Sequence, residues 1–350
     1  MAHNINRITE LLSEIKHPET GNDIVSLGIV RNLETEDGII AADLVFKPND
    51  AFVSSIKRAV DEKLKQAFPS AELNISVSKR QPSRPSKKEY PDIQVKNILA
   101  VASGKGGVGK STVSVNLAVA LAQRGFKTGL LDADVYGPSI PTMLGMSGVR
   151  PVMIERDGLE FIEPVEKFGV KFLSIGFFLS PDDAVIWRGP AATGALKQLA
   201  GQGNWDGLDF LLIDLPPGTG DVHLTICQEL DLTAAIIVTT PQKVALADVI
   251  RGTNMFRNRD INVPVAGLIE NMAWFTPAEL PDSKYYIFGQ GGGKKLAAAM
   301  RIPFLGEIPL IQGIRESGDT GVPVALDNSS GADSFRKIVD SLLQQPVIKK

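Results

Sequence analysis

The stretch Ser103–Thr112, SGKGGVGKST, constrains this chain more than any other. An apolar run, Ile98–Ala102, precedes it, and Val113, Val115, Leu117, Val119 and Leu121 come after it, before Gly125. That order reads as strand, glycine-rich loop, helix. Gly104, Gly109, Lys110 and Ser111 fill the GxxxxGK[ST] pattern of a phosphate-binding P-loop. The glycines let successive backbone N–H groups curl toward one point, and the following helix adds the positive end of its dipole there. An anionic polyphosphate fits such a cradle. Gly104, Lys105, Gly106, Gly107, Val108, Gly109, Lys110, Ser111 and Thr112 are therefore the expected nucleotide-binding positions, with Lys110 on the outer phosphates and the Ser111 hydroxyl on Mg2+.

A chain of 350 residues has room for two domains with cores of their own. Residues 1–78 read as a small α/β unit. Ile5, Ile8, Leu11, Leu12 and Ile15 have helical spacing, Ile24–Val30 and Ile39–Phe46 read as strands, Phe52 to Phe68 as a second helix with Asn49 or Asp50 as its N-cap, and Leu73–Val77 as a last strand. Residues 79–92, KRQPSRPSKKEYPD, form a basic, proline-rich linker. In residues 93–350 short apolar runs alternate with helical stretches. Strands are expected at Ile98–Ala102, Thr128–Leu131, Val170–Ile175, Phe210–Ile213, Ala235–Thr239, Val265–Ile269 and Phe304–Ile308. The fold class is α/β: a mostly parallel P-loop NTPase sheet with helices on both faces, plus the small N-terminal α/β domain. Ligands of such sheets bind beyond the carboxyl ends of the strands.

Further candidates fall at those ends. Asp132-Ala133-Asp134 closes the strand after the P-loop helix, and two carboxylates there can organise Mg2+ and an attacking water; a helix N-cap is the other use for one of them. Leu211-Leu212-Ile213-Asp214 is an apolar strand ending in a carboxylate, the Walker B pattern, so Asp214 is expected to hold Mg2+ with Ser111. Pro216-Pro217-Gly218-Thr219-Gly220 comes next, a loop built to move as one piece, with the Gly218 N–H in reach of a γ-phosphate.

Net charge is −3, which favours neither nucleic acid nor an anionic membrane as partner. No apolar run is long enough to span a bilayer. Cys227 is the single cysteine, so no intrachain disulfide forms and a cytoplasmic protein is the expectation.

KGGVGKS, with its additional Lys105, resembles the deviant P-loop of the family that includes the Min cell-division ATPase, the nitrogenase iron protein and the Mrp/ApbC iron–sulfur carriers. Arg188–Pro190, DLPPGTGDVHLT at Asp214–Thr225, VTTPQKVALAD at Val238–Asp248 and GEIPLIQGIRESGDTGVP at Gly306–Pro323 extend the likeness across nearly all of residues 95–325, and the chain looks like an Mrp/ApbC-type member. HPETGNDIVSLGIV, within residues 5–78, resembles the small domain of iron–sulfur assembly factors. The resemblance implies a homodimer that hydrolyses ATP and loads or transfers iron–sulfur clusters to apoproteins, or works with scaffold proteins. It implies that Lys105 reaches the partner's nucleotide, that Asp134 orients the attacking water with support from Asp132, that Asn271 reads adenine, and that a loop after Glu307-Ile308-Pro309 closes over the base. A Min-type positioning switch is the alternative.

One part of the pattern is missing. Such carriers place a CxxC pair between the adenine asparagine and an IFGxGG segment. Asn271 and Ile287–Gly292 are present here, but Phe275–Ser283 contains no cysteine. Four thiolates for a cluster bridging two chains cannot come from one cysteine per chain. Cys227, on an amphipathic stretch, reads as a packing residue, and the ligands of any cluster are unknown. Phe335, Ile338, Val339, Leu342 and Leu343 have the spacing of a core-packing terminal helix rather than a basic membrane anchor.

Overall fold

The computed structural model describes residues 5–25, 27, 29–36, 38–46, 50–79, 93–156, 158–179, 189–277, 279–280 and 282–349. It divides into two units, Met1–Glu89 and Tyr90–Lys350.

In the first unit, α1 (Ile5–Ser13) and α2 (Val53–Ala67) accompany a three-stranded sheet of β1 (Val30–Glu36), β2 (Ile39–Phe46) and β3 (Glu72–Lys79). β1 and β2 pair antiparallel, and β2 and β3 pair parallel across the α2 crossover. Ile8, Leu12, Ile40, Leu44, Phe46, Ile56, Val60 and Leu64 form the core. The first strand lies later than the sequence pattern predicts. Ile24 and Ile29 are buried, but as anchors of a loop in which Ile24 N–H donates to Ile15 O (3.0 Å) and Ile29 N–H to Ile24 O (3.0 Å). Burial accounts for the apolar spacing there without a strand. Asp50 does not cap α2. Its Oδ1 accepts the Phe52 N–H (2.8 Å) just ahead of the helix, and Phe52 holds the cap position without a side-chain bond. Asn49, and residues 80–92 of the linker, lie outside the described residues.

The second unit is built on β4 (Asn97–Ala102), β5 (Thr128–Asp132), β6 (Val152–Arg156), β7 (Leu159–Glu163), β8 (Val165–Lys167), β9 (Val170–Ser174), β10 (Phe210–Asp214), β11 (Ala234–Thr239), β12 (Val265–Phe275) and β13 (Phe304–Leu310). Its helices are α3 (Lys110–Gln123), α4 (Ile140–Met143), α5 (Gly189–Gln202), α6 (Asp221–Glu229), α7 (Lys243–Phe256), α8 (Gly292–Met300), α9 (Gln312–Thr320) and α10 (Ser330–Leu343). The main sheet has the order β13-β12-β11-β4-β10-β5-β9-β8, parallel except for β8 against β9. β6 and β7 form a separate antiparallel hairpin.

Alternation along the strands divides the core between the two faces. Leu99, Val101 and Leu212 join α3 and α10 on one side, while Ile98, Ala100, Leu211 and Ile213 join α5, α6 and α7 on the other. α3 is buried continuously from Val113 to Leu121, so the helix that starts at the P-loop is also the centre of one layer. α10 buries Phe335, Ile338, Val339 and Leu342, which uses up its apolar stripe. No helix among the described residues is long and apolar enough to cross a membrane.

Candidate nucleotide site

The P-loop leaves the carboxyl end of β4, one of the two central strands, and three of its glycine positions show why side chains are excluded. Gly107 and Gly109 adopt φ of +79° and +78°, where an L side chain is strained. Gly104 lies directly on the Asp248 backbone of α7, so any Cβ would push loop and helix apart. Val108 is buried, and Gly106 and Gly107 are exposed.

α3 begins at Lys110, so Lys110, Ser111 and Ser114 share one face of its first turns. That face meets the end of β10. Lys110 Nζ lies 2.8 Å from Asp214 Oδ1. Ser111 Oγ donates to Asp214 Oδ2 at 2.6 Å, and Ser114 Oγ lies 2.6 Å from Asp214 Oδ1. Asp214 is 1% exposed, so its charge is held by this shell of three donors in place of water. A carboxylate and a hydroxyl 2.6 Å apart, both hard oxygen donors, suit Mg2+.

Asp132, level with Asp214 in the adjacent strand register, is 1% exposed. Its Oδ2 accepts the Ser174 hydroxyl (2.9 Å) and its Oδ1 the Asp134 N–H (3.1 Å). Burial first, and then the Asp214 charge, push its carboxyl up to about 7, against the pull of these donors and of Lys110. Asp132 thus holds the loop that presents Asp134. Burial also raises Asp134, with Lys110 opposing. His223, 1% exposed on α6 behind the Pro216–Gly220 loop, is pushed down to about 4, first by burial and then by the Lys110 charge. Its imidazole is neutral at physiological pH.

Several expected residues are engaged within the chain itself. The Gly218 N–H donates to Ser103 O (3.0 Å), so that donor is committed to the P-loop in this conformation. Lys105 Nζ donates to Gln242 Oε1 (3.3 Å) at the start of α7. Asn271 does not stand beyond its strand; it lies inside β12, which runs on to Phe275 past Met272 at φ +55°. Its Nδ2 donates to Val108 O (2.8 Å). Only the amide nitrogen can donate to a carbonyl, so Oδ1 is left as the acceptor. Pro309 is buried near the end of β13, and the connection expected after that strand is the single residue Ile311, with α9 beginning at Gln312. The Thr112 carbonyl accepts Asn116 Nδ2 (2.9 Å) within α3.

Ser114, Ser174 and Gln242 join the site; Gln242 stands inside the VTTPQKVALAD segment, but with no role assigned to it there, and Ser174 is outside every quoted motif. Only Ser114 carries a signal, a hydroxyl one helical turn beyond Lys110 in an otherwise apolar run.

The region where a cysteine pair would stand is stapled otherwise. Phe275 and Tyr285 exchange backbone hydrogen bonds (2.8 Å each), and Lys284 Nζ lies 3.9 Å from the Trp274 ring centroid. Among the described residues no group of three or more His, Cys, Asp or Glu side chains could hold a metal ion. Cys227 is half-buried on α6, and burial pushes its thiol up to about 11, far from thiolate character.

A family model described as NUBPL iron-transfer P-loop NTPase matches residues 94–343. The chain belongs to that family. A second model, described as iron-sulfur cluster assembly protein, matches residues 5–77. Among relatives of this P-loop NTPase, the iron-sulfur cluster carrier protein of Synechocystis sp. is 42% identical, over 93% of each chain. That of Aquifex aeolicus is 47% identical over 83% of this chain and 79% of its own. A nucleotide-binding protein of Archaeoglobus fulgidus, solved in complex with ADP, is 37% identical, covers 69% of this chain and 92% of that one, and superposes with a TM-score of 0.58. The cell division ATPase MinD of Pyrococcus furiosus shares the fold at 23% identity and a TM-score of 0.50.

Proposed function

We propose that the protein is an ATP-hydrolysing carrier or assembly factor for iron–sulfur clusters, acting as a homodimer, with the cluster as cargo. The observation that carries the nucleotide half is the cluster of Lys110, Ser111 and Asp214 at the carboxyl end of the sheet, with Asn271 fastened to the same loop. ATP phosphates take Lys110 from Asp214 and bind the curled N–H groups of Gly104–Thr112. Ser111 and Asp214 would hold Mg2+, which would supply charge neutralisation for the phosphates. Asp134, presented by Asp132, orients water. The free Oδ1 of Asn271 accepts from the exocyclic amino group of adenine, at the ring position where guanine has a carbonyl oxygen. Lys105 leaves Gln242 to reach the partner's nucleotide.

The cargo half rests on family membership and on the names of the relatives. This chain departs from a four-cysteine carrier in having only Cys227, so the remaining ligands of a cluster are supplied by the partner protein or by small thiols. The test is anaerobic transfer of a cluster to an iron–sulfur apoprotein whose activity reports its arrival, with and without MgATP. Transfer stimulated by MgATP and abolished in Lys110→Ala is the expected result. Equal transfer by wild type and Lys110→Ala would refute the coupling.

A further inference from the structure

Asp214 is held by three donors, and two of them have other work. Lys110 and Ser111 both turn to the nucleotide and its metal when these bind, if the proposed function holds. That would take both contacts from a carboxylate that is 1% exposed and leave the third donor as its one side-chain contact beside the metal. Ser114 is that donor. It is 0% exposed and sits on the inner face of α3, four residues after Lys110 and three after Ser111. Its hydroxyl also lies 3.0 Å from the Lys110 carbonyl, the usual fallback for a helical serine. A hydroxyl has one proton, and both neighbours are acceptors. The 2.6 Å contact to an ionised oxygen outcompetes the 3.0 Å contact to a neutral carbonyl, because charge-assisted bonds are shorter and stronger.

We propose that Ser114 is a positioning residue for the metal-holding carboxylate: it pins Asp214 Oδ1 and so leaves Oδ2, the oxygen now bonded to Ser111, turned toward the metal. The proposal rests on the assignment of Asp214 to Mg2+. Ser114 contacts neither phosphate nor metal. Its effect is to keep Asp214 from rotating when Lys110 and Ser111 let go.

The experiment is a Mg2+ titration of ADP binding by calorimetry, alongside ADP binding in EDTA. Wild type should bind ADP more tightly with Mg2+; a wild type indifferent to Mg2+ would overturn the assignment of Asp214, and the proposal with it. Ser114→Ala removes one hydroxyl and substitutes a good helix former. It should bind ADP in EDTA within about twofold of wild type, while the half-saturating Mg2+ concentration rises about tenfold, the size of one charged hydrogen bond. In an Asp214→Asn background, adding Ser114→Ala should shift the Mg2+ requirement by less than about twofold, since the group it positions has lost its charge. An unchanged Mg2+ requirement in Ser114→Ala overturns the proposal. So does an equal loss of ADP affinity with and without Mg2+, which is what a purely structural role for the hydroxyl would produce.

Discussion

The two units each bury an acid beside a base, and the two pairs serve opposite ends. In the small unit His17 Nε2 donates to Asp50 Oδ2 (3.0 Å), His17 Nδ1 accepts the Glu19 N–H (3.3 Å), Asp50 Oδ1 accepts the Phe52 N–H (2.8 Å), and the imidazole stands edge-on to the Phe52 ring. Every one of these contacts joins residues of the loops ahead of the first strand and of α2. In the P-loop unit Lys110 and Asp214 are equally buried at 2.8 Å, but both partners belong to the machinery that phosphates and Mg2+ address. A buried pair is a costly way to gain stability. The first holds two loops together. The second keeps two charges compensated until a ligand exchanges them.

That contrast can be broken by substitution. Lys105→Ala should have the largest effect, a fall in MgATP hydrolysis of about a hundredfold or more if it neutralises the partner's phosphates as an arginine finger does. ATP-analogue binding, read by calorimetry, should stay within severalfold; unchanged phosphate release would remove the lysine from the mechanism. His17→Ala should destabilise the small unit by about 3 kcal/mol or more, since Asp50 is then buried without its base. It should leave hydrolysis within about twofold, and a large loss of activity would mean that the pair is not merely structural.

His223 offers a smaller, pH-dependent handle. Its folded value of about 4 lies below the ordinary 6.5, so between the two the unfolded chain binds a proton that the folded chain does not. Its contribution is complete above pH 6.5 and is lost as pH falls toward 4. Wild type should lose up to about 3 kcal/mol relative to His223→Gln over that interval, measured by denaturant melts. Parallel curves would show that burial does not disfavour the charged imidazole. Cys227→Ser should have the smallest effect, leaving iron and acid-labile sulfide per chain unchanged after anaerobic reconstitution. Loss of iron would make the thiol a ligand.

The P-loop and the Walker B strand are legible in the sequence because phosphate and Mg2+ chemistry leaves little choice of residue or spacing. Strand positions in the sheet are legible because they are buried on both faces and read as unbroken apolar runs. Elsewhere apolar residues mislead. Ile24 and Ile29 are buried in a loop, and the β6–β7 hairpin exposes Val152 and Met153, so neither matches its pattern. The strands at Asn271 and Pro309 continue through both residues, although a polar residue and a proline each suggest an end. Gln242 and Ser174 touch Lys105 and Asp132 through tertiary contacts, and although Gln242 lies in a quoted motif, neither contact is written in the residues around it.

The bond from Asn271 to the Val108 carbonyl makes the site a gauge. If Asn271 reads the base, the reader of one end of the nucleotide is fastened to the cradle of the other. The span between them does not drift with the sheet, and a ligand is tested for length as well as for charge and edge chemistry. Inorganic triphosphate or adenosine alone fills one jaw and leaves the other unmeasured.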